Sequence, residues 1–336
     1  MRAAGIGDLH LDGRLTKFIP DLNFVIMEEV RSVVAKAVAK GCQIVIFYGD
    51  IGDKPRLSDQ AHQLLCELFL QFPQIKFLVL KGNHDVESES KTGLDFLRFL
   101  SRAKMIPNVQ VALQPRVLFA NTDYAINMLP WPHTETQRGM LNVLHVETAG
   151  SVMDSGRGVD SHAPTIDEKT FCVAGHLHTN HKAGSVHYAG TLYQTAFGEK
   201  EEKFWHLIDL AAKKVLSVPH KPKYTLRNIV IKTQEDLKLI PKDPLILCKL
   251  FIASNVAVPS EAFDKYTNVV KHNNFQTKQE LEALVMEDFV IDDVSGTVNF
   301  DMGVALSDWM ASENISEPLR KQVLKLNKKL ITEGKI

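Results

Sequence analysis

Five short polar motifs carry the side chains that could do chemistry in this sequence. They combine carboxylate, amide and imidazole groups, and none of them contains a cysteine. Oxygen and imidazole ligands without thiolate suit Mn²⁺, Fe²⁺ or Zn²⁺ better than a structural zinc site of the cysteine type. In chain order the motifs are Asp8-Leu-His10, Gly49-Asp50-Ile-Gly-Asp53, Gly82-Asn83-His84-Asp85, the single His145, and Gly175-His176-Leu-His178.

The spacing within the motifs favours ligands that point the same way. Asp8 and His10 are two positions apart, so on an extended segment both side chains lie on one side, and His176 and His178 repeat that spacing. Each motif alone is weak evidence, because such short patterns are usually loops or turns and His145 could be a core residue at a strand end. Five such motifs in one chain, most of them directly after an apolar strand, are better explained by a metal centre than by separate loops and turns.

The motifs follow the elements of an α/β core. Gln43–Phe47 and Ile75–Leu80 predict buried strands that end just before the second and third motifs. Between them Ser58 is placed to cap a helix, and Asp21–Lys40 carries apolar residues at helical spacing. Strand and helix therefore alternate, which is the pattern of a layered α/β protein.

The middle of the chain is richer in strands. Between about Val109 and Val218 the apolar runs are short and β-like, one of them being Leu141–His145. We expect a sandwich of two mixed sheets flanked by helices. Pro219 and Pro222 then mark a linker.

Beyond the linker the sequence predicts a small α/β unit and a helical end. Ser260 is placed to cap a helix that reaches His272, and the capping box Thr277–Glu280 opens another helix. Val304–Met310 and Ser316–Thr332 are both predicted to be helical, and the second carries a heptad-like apolar stripe. That stripe could pack on the protein's own core or bind a partner.

Composition narrows the class of protein. The 336 residues are 45% hydrophobic and 24% charged, which is ordinary for a globular protein and argues against disorder. No apolar run is long enough for a membrane span, and the first residues do not resemble a signal peptide. The four scattered cysteines indicate buried thiols in a reducing compartment, so we expect a cytoplasmic protein.

The order and residue types of the five motifs closely resemble those of the calcineurin-like metallophosphoesterase superfamily. The resemblance implies two divalent metal ions, most simply Mn²⁺ with Mg²⁺ as a possibility, and phosphoester hydrolysis by an activated water without a covalent intermediate. It implies that His84 acts on the leaving group, that Asp85 orients His84, and that Asp53 supports a ligand or a water. The first metal would take Asp8, His10, Asp50 and His178, and the second would take Asp50, Asn83, His145 and His176.

Finer details resemble the SbcD nuclease family in its bacteriophage version. The superfamily's protein phosphatases have Arg after the second motif and Glu at the end of the third, where this chain has Lys54 and Asp85. The resemblance implies a DNA exonuclease and endonuclease of recombination, repair and replication, acting in the cytoplasm, or in the host cytoplasm if phage-encoded. It implies a four-layer α/β/β/α sandwich at 1–220, a DNA-contacting capping domain at 225–293, and helices at 298–336.

The same resemblance predicts the partners. The terminal helices would dock on the coiled coil of an SbcC-type ABC ATPase, and the early helices would form a homodimer within a heterotetramer, without membrane contact. The formal charge of −1 taken alone argues against a nucleic-acid binder. Two bound dications would add positive charge at the site, so the count does not exclude DNA as a substrate. The basic residues near the motifs that could contact DNA are Lys54, Arg56, Lys81 and Arg157.

Two other functions remain open from the sequence. The same site could serve a phosphatase or phosphodiesterase for small molecules or phosphoproteins. A non-catalytic binding scaffold is the third possibility, although such proteins usually lose ligand positions and none is lost here.

Overall fold

The computed structural model describes residues 1–19, 21–88, 91–153, 158–159, 162–258 and 268–290. Residues Met1–Phe289 form one compact unit. The strands are, in chain order, β1 (Arg2–Ile6), β2 (Cys42–Phe47), β3 (Lys76–Leu80), β4 (Val86–Ser88), β5 (Lys91–Thr92), β6 (Val109–Ala112), β7 (Arg116–Leu118), β8 (Ile126–Leu129), β9 (Leu141–His145), β10 (Phe171–Gly175), β11 (His181–Ala183), β12 (Val186–Tyr188), β13 (Lys203–Asp209), β14 (Lys214–His220), β15 (Thr225–Ile231), β16 (Ile246–Ala253) and β17 (Val269–Phe275). The α-helices are α1 (Leu22–Ala39), α2 (Asp59–Gln71), α3 (Asp95–Arg102) and α4 (Lys278–Val290), and short 3₁₀ helices lie at Arg14–Lys17 and Gln234–Leu239.

The first sheet has six strands in the order β14-β13-β1-β2-β3-β6. Strands β1, β2, β3 and β6 are parallel, and β13 and β14 extend the sheet in the antiparallel sense. Side chains alternate across it, so Val45 and Phe47 pack in one core with the apolar faces of α1, α2 and α3. Ile44 and Ile46 point to the other face.

The second sheet also has six strands, in the order β11-β12-β10-β9-β8-β7. Its residues Met128, Val143 and Val173 share a buried cluster with Ile44 and Ile46, so the two sheets pack face to face. The expected mixed α/β fold with several sheets is therefore confirmed. Helices cover the outer face of the first sheet, and the fourth, helical layer over the second sheet stays a prediction.

The helix caps follow the sequence closely. Ser58 Oγ accepts a hydrogen bond of 3.2 Å from the Ala61 N–H at the start of α2. At the start of α4, Thr277 Oγ1 accepts from the Glu280 N–H at 3.1 Å, and the Glu280 carboxylate accepts from the Thr277 N–H at 3.4 Å. None of the described helices is both long and apolar enough to cross a membrane.

A third sheet of three parallel strands, β15-β16-β17, follows the linker. The helix predicted from Ser260 to His272 is wrong at its end, because Val269–His272 belong to β17. This strand gains its hydrogen bonds from β16, a distant strand that local periodicity does not reveal. Ser260 itself lies outside the described residues, as do Val304–Met310 and Ser316–Thr332, and the predicted domain boundaries stay predictions.

Candidate metal centre

All five motifs lie at the carboxyl ends of parallel strands. Asp8 and His10 follow β1, Asp50 follows β2, and the third motif follows β3. In the second sheet His145 is the last residue of β9, and the fifth motif begins at the end of β10. Because the carboxyl ends of parallel strands meet at one edge of a sheet, side chains far apart in sequence converge there.

The backbone at this edge is strained where it turns the side chains inward. His10 and Asp50 each have φ of 46°, and His176 has φ of 81°, all in the left-handed region. Such a conformation costs a non-glycine residue roughly 1–2 kcal/mol, and strain of this kind concentrates at functional sites. Gly82 permits the close approach of two loops, since a Cβ there would collide with the Asp50 carboxylate.

The first cluster of possible ligands consists of Asp8, His10 and His178, all buried. The Nε2 atoms of His10 and His178 are 3.0 Å apart, and His178 Nε2 is 3.8 Å from Asp8 Oδ2. Asp8 Oδ2 also accepts a hydrogen bond of 2.8 Å from the His176 N–H, which ties this cluster to the fifth motif.

The second cluster consists of Asp50, His145 and His176, with Asn83 beside them. His145 Nε2 is 3.1 Å from Asp50 Oδ2 and 2.8 Å from Asn83 Oδ1, and His176 Nδ1 is 3.1 Å from the same Asn83 oxygen. His145 Nδ1 donates to the carbonyl of Tyr48 at 2.7 Å. In the neutral imidazole that bond leaves the lone pair of Nε2 facing the cluster, as a metal-binding histidine requires.

The chemistry of these side chains fits divalent cations. Asp8 Oδ1 is buried without a hydrogen-bond partner among the described residues, which costs free energy unless a cation lies next to this oxygen. Burial raises the pKa of Asp8, and Asp50 adds to that effect. Burial opposes the charge on His145, but the carboxylates of Asp50 and Asp8 still raise its pKa to about 9. The seven predicted ligands thus converge in two adjoining clusters, while their assignment to two ions, with Asp50 as the bridge, stays a prediction.

His84 lies against the first cluster. The His84 ring meets the His10 ring edge-on, with the ring centroids 5.0 Å apart. The backbone N–H of His84 donates to Asp50 Oδ1 at 2.9 Å. His84 Nδ1 donates to the backbone carbonyl of Asp53 at 3.0 Å. The Asp53 carboxylate is 3.3 Å from His10 Nδ1, so this one residue orients two histidines.

Asp85 has a different role from the one expected. It was predicted to orient His84, but its carboxylate accepts from the N–H groups of Gly82 at 2.8 Å, Ile51 at 3.1 Å and Gly52 at 3.2 Å. It therefore braces the loops after β2 and β3 against each other. Burial, and then the nearby Asp50 carboxylate, raise the pKa of Asp85 to about 7.

Two supporting groups behind the histidines were missed from the sequence. Glu147 Oε2 is 2.8 Å from His176 Nε2, and its two-residue spacing from His145 was a usable signal. Behind His178 lies the buried ion pair of Glu199 and Lys203, with Nζ 2.7 Å from Oε2. No local motif marks that pair, because its contact with His178 is made only by the fold.

The basic residues predicted to contact substrate are less convergent. Lys54 is exposed beside Asp53, and Lys81 is partly buried directly before Gly82. Arg56 is exposed and donates to Glu87 through Nε at 3.1 Å and Nη2 at 2.6 Å, so its charge is balanced locally. Arg157 lies outside the described residues. Contact of any of them with substrate stays a prediction.

Comparison with known proteins defines the class of this centre. The model of the calcineurin-like phosphoesterase family matches residues 1–239 of the 336. The chain therefore belongs to the calcineurin-like phosphoesterases, and its function is that of a metal-dependent phosphoester hydrolase. A comparison with curated proteins found no match.

Among solved structures, the chain is similar to the protein TT1561 of Thermus thermophilus. The two are 11% identical, the alignment covers 65% of this chain and 98% of that one, and the TM-score is 0.39. The family membership stands on the sequence match and the clusters described above.

Proposed function

We propose that the protein is a metal-dependent DNA nuclease that cleaves phosphodiesters as an exonuclease on duplex DNA and as an endonuclease. The observation that carries the proposal is the convergence of all seven candidate ligands at the strand ends of the two sheets, within a family of phosphoester hydrolases. Oxygen and imidazole ligands favour Mn²⁺, with Mg²⁺ as the other candidate.

The chain's own residues divide the work of hydrolysis. Bound dications would supply an activated water and neutralise charge on the phosphoryl oxygens. His84 donates its Nδ1 proton to the carbonyl of Asp53, so its protonated form can donate only from Nε2 to the leaving oxygen. Asp85 fixes the distance between the loops that carry Asp50 and His84.

DNA is favoured as the substrate by residues at the two positions that distinguish the protein phosphatases of this superfamily. Lys54 and Asp85 replace the Arg and Glu that those phosphatases carry there. A separate three-stranded sheet, β15-β16-β17, occupies the part of the chain where the SbcD-type nucleases have a DNA-contacting capping domain. We therefore assign residues 225–293 that role, after a four-layer nuclease domain at 1–220.

The remaining part of the proposal concerns partners. Four large apolar side chains remain exposed in this part of the chain. They are Leu70 on α2, Phe96 and Phe99 on α3, and Met105 just after α3. Exposed apolar side chains at one group of helices favour an interface, and we assign it to a homodimer. Residues 298–336 would dock on the coiled coil of an SbcC-type ATPase, in a cytoplasmic complex for recombination, repair and replication.

The nuclease proposal is tested by incubating the full chain with Mn²⁺ and linear duplex DNA. We expect cleavage by the wild type and a loss of roughly 100-fold or more in His84→Ala, because the donor to the leaving oxygen is removed. His187→Ala, which changes a partly buried histidine on β12, is the matched control and should keep full activity. Equal activity of the wild type and His84→Ala would contradict the mechanism.

Substrate class is tested with the same preparation. Turnover of DNA and of a generic phosphodiester should exceed turnover of a generic phosphomonoester. The reverse preference would assign the site to a phosphatase for small molecules or phosphoproteins instead. Co-purification of the chain with the ATPase encoded beside it, followed by nuclease assays with and without ATP, tests the partner.

A further inference from the structure

A charged pair is buried directly behind the metal-ligand candidate His178. Glu199 and Lys203 are only 5% and 3% exposed. Lys203 Nζ donates to Glu199 Oε2 at 2.7 Å and to Thr191 Oγ1 at 3.0 Å. A buried ion pair is expensive to desolvate and seldom stabilises a fold more than apolar residues would, so its position calls for a further reason.

The pair reaches His178 mainly through one hydroxyl group, and Glu199 Oε1 itself lies 3.5 Å from His178 Nδ1. Thr195 Oγ1 is 3.1 Å from His178 Nδ1, and the same hydroxyl donates to Glu199 Oε1 in a short hydrogen bond. The Thr195 N–H also donates to both oxygens of that carboxylate, at 3.2 Å. Glu199 is thus held in place from the Thr195 side and from the Lys203 side.

The direction of these hydrogen bonds sets the tautomer of His178. A hydroxyl has one proton, and an ionised carboxylate can only accept, so the Thr195 proton points to Glu199. The hydroxyl oxygen must then accept from His178, which places the imidazole proton on Nδ1. The lone pair of Nε2 is left on the side of His10 and Asp8, where the first cluster of ligands lies.

We propose that Glu199, held by Lys203, is a positioning residue that fixes His178 through Thr195 in the tautomer able to bind a divalent cation. The inference rests on the metal centre of the proposed function and adds residues to it. Histidine ligands commonly donate their second ring N–H to a carboxylate or a group that it orients, and loss of that partner weakens metal binding roughly 10- to 100-fold.

The decisive variant is Thr195→Val, which removes the hydroxyl at nearly constant shape and leaves the ion pair in place. Thr170→Val is its matched control, because the two threonines are 8% and 7% exposed and Thr170 Oγ1 donates to the Asp167 carbonyl instead. Glu199→Gln is the second variant. Its amide can donate to Thr195, which would turn the hydroxyl proton towards His178 and place the imidazole proton on Nε2.

Two measurements on the full chain separate positioning from general support. Calorimetric titration with Mn²⁺ should show binding weakened roughly 10-fold or more in Thr195→Val and Glu199→Gln, and by less than about 3-fold in Thr170→Val. Imidazole ¹⁵N spectra of the metal-free protein should show His178 protonated at Nδ1 in the wild type and shifted from that tautomer in both variants. The His178 signals are identified by their absence from His178→Gln.

Mn²⁺ affinity of Thr195→Val within about 3-fold of the wild type would overturn the proposal, and so would an Nε2-protonated His178 in the wild type. An equal loss of affinity in Thr170→Val would overturn it as well, since the effect would then be one of general stability. Failure of the nuclease proposal looks different: the wild type would bind Mn²⁺ with the predicted tautomer and not cleave DNA.

Discussion

Replacing Lys203 by methionine isolates the energy of the buried ion pair. The change keeps the length of the side chain and removes the ammonium that lies 2.7 Å from Glu199 Oε2. The carboxylate, nearly inaccessible to water, keeps the Thr195 donors and the His178 ring, whose Nδ1 lies 3.5 Å from Oε1. Breaking a buried ion pair in this way costs about 3–5 kcal/mol, because the remaining charge is left unpaired. That is a large share of the 5–15 kcal/mol that typically separates folded from unfolded domains.

The assay is urea unfolding of the metal-free chain near neutral pH, followed by circular dichroism. Lys203→Met should lower the free energy of unfolding by about 3–5 kcal/mol. Arg227→Met breaks the exposed pair with Glu201, whose Nε–Oε1 distance is also 2.7 Å, and should lower it by at most about 1 kcal/mol.

A double variant completes the test. Glu199→Gln with Lys203→Met removes both charges, so most of the lost stability should return. A cost below about 1 kcal/mol in Lys203→Met would contradict the energy assigned to the buried pair, and so would a double variant no more stable than the single one.

Three further outcomes follow from the structure. Burial lowers the pKa of His206 to about 3, whereas the pKa of this side chain in the unfolded chain is near 6.5. Below pH 6.5 only the unfolded chain takes up this proton, so the free energy of unfolding decreases as the pH falls. Between pH 6.5 and 5 the free energy of unfolding should drop by about 1.6 kcal/mol more in the wild type than in His206→Gln, and parallel profiles would contradict this. Gly82→Ala pushes a Cβ into the Asp50 carboxylate and should weaken Mn²⁺ binding in calorimetry at least about 10-fold. Gly158→Ala, whose Cβ would meet none of the described residues, should leave that binding unchanged. Phe99→Asp should convert a sedimenting dimer to a monomer, whereas Leu216→Asp, on a side chain of matching exposure (60% against 61%), should leave it a dimer; a monomeric wild type would disprove the interface.

Much of the core could be predicted from local sequence. Strand β9 has the predicted bounds Leu141–His145, because it is a short run buried on both faces. Helix α1 lies within one residue of the predicted Asp21–Lys40, because its apolar periodicity is set by burial on one face. Strand β17 was missed because it contains Lys271, His272 and Asn273 and is stabilised by pairing with β16. Local periodicity does not report pairing with a distant strand.

The candidate site divides in the same way. The convergence of its candidate ligands could be predicted because each motif follows a strand, and the ends of parallel strands converge. The supporting contacts could not. Whether His84 meets Asp85 or the carbonyl of Asp53 depends on the path of a loop, and Glu199 reaches His178 only through the tertiary fold.

The central claim is a two-cation centre at the strand ends, and anomalous diffraction from crystals soaked in Mn²⁺ tests it most directly. Two adjacent peaks are expected. One should be coordinated by Asp8, His10 and His178, and the other by Asn83, His145 and His176. Asp50 should lie between the two peaks as their shared ligand. A single peak, no peak, or peaks away from these histidines would contradict it.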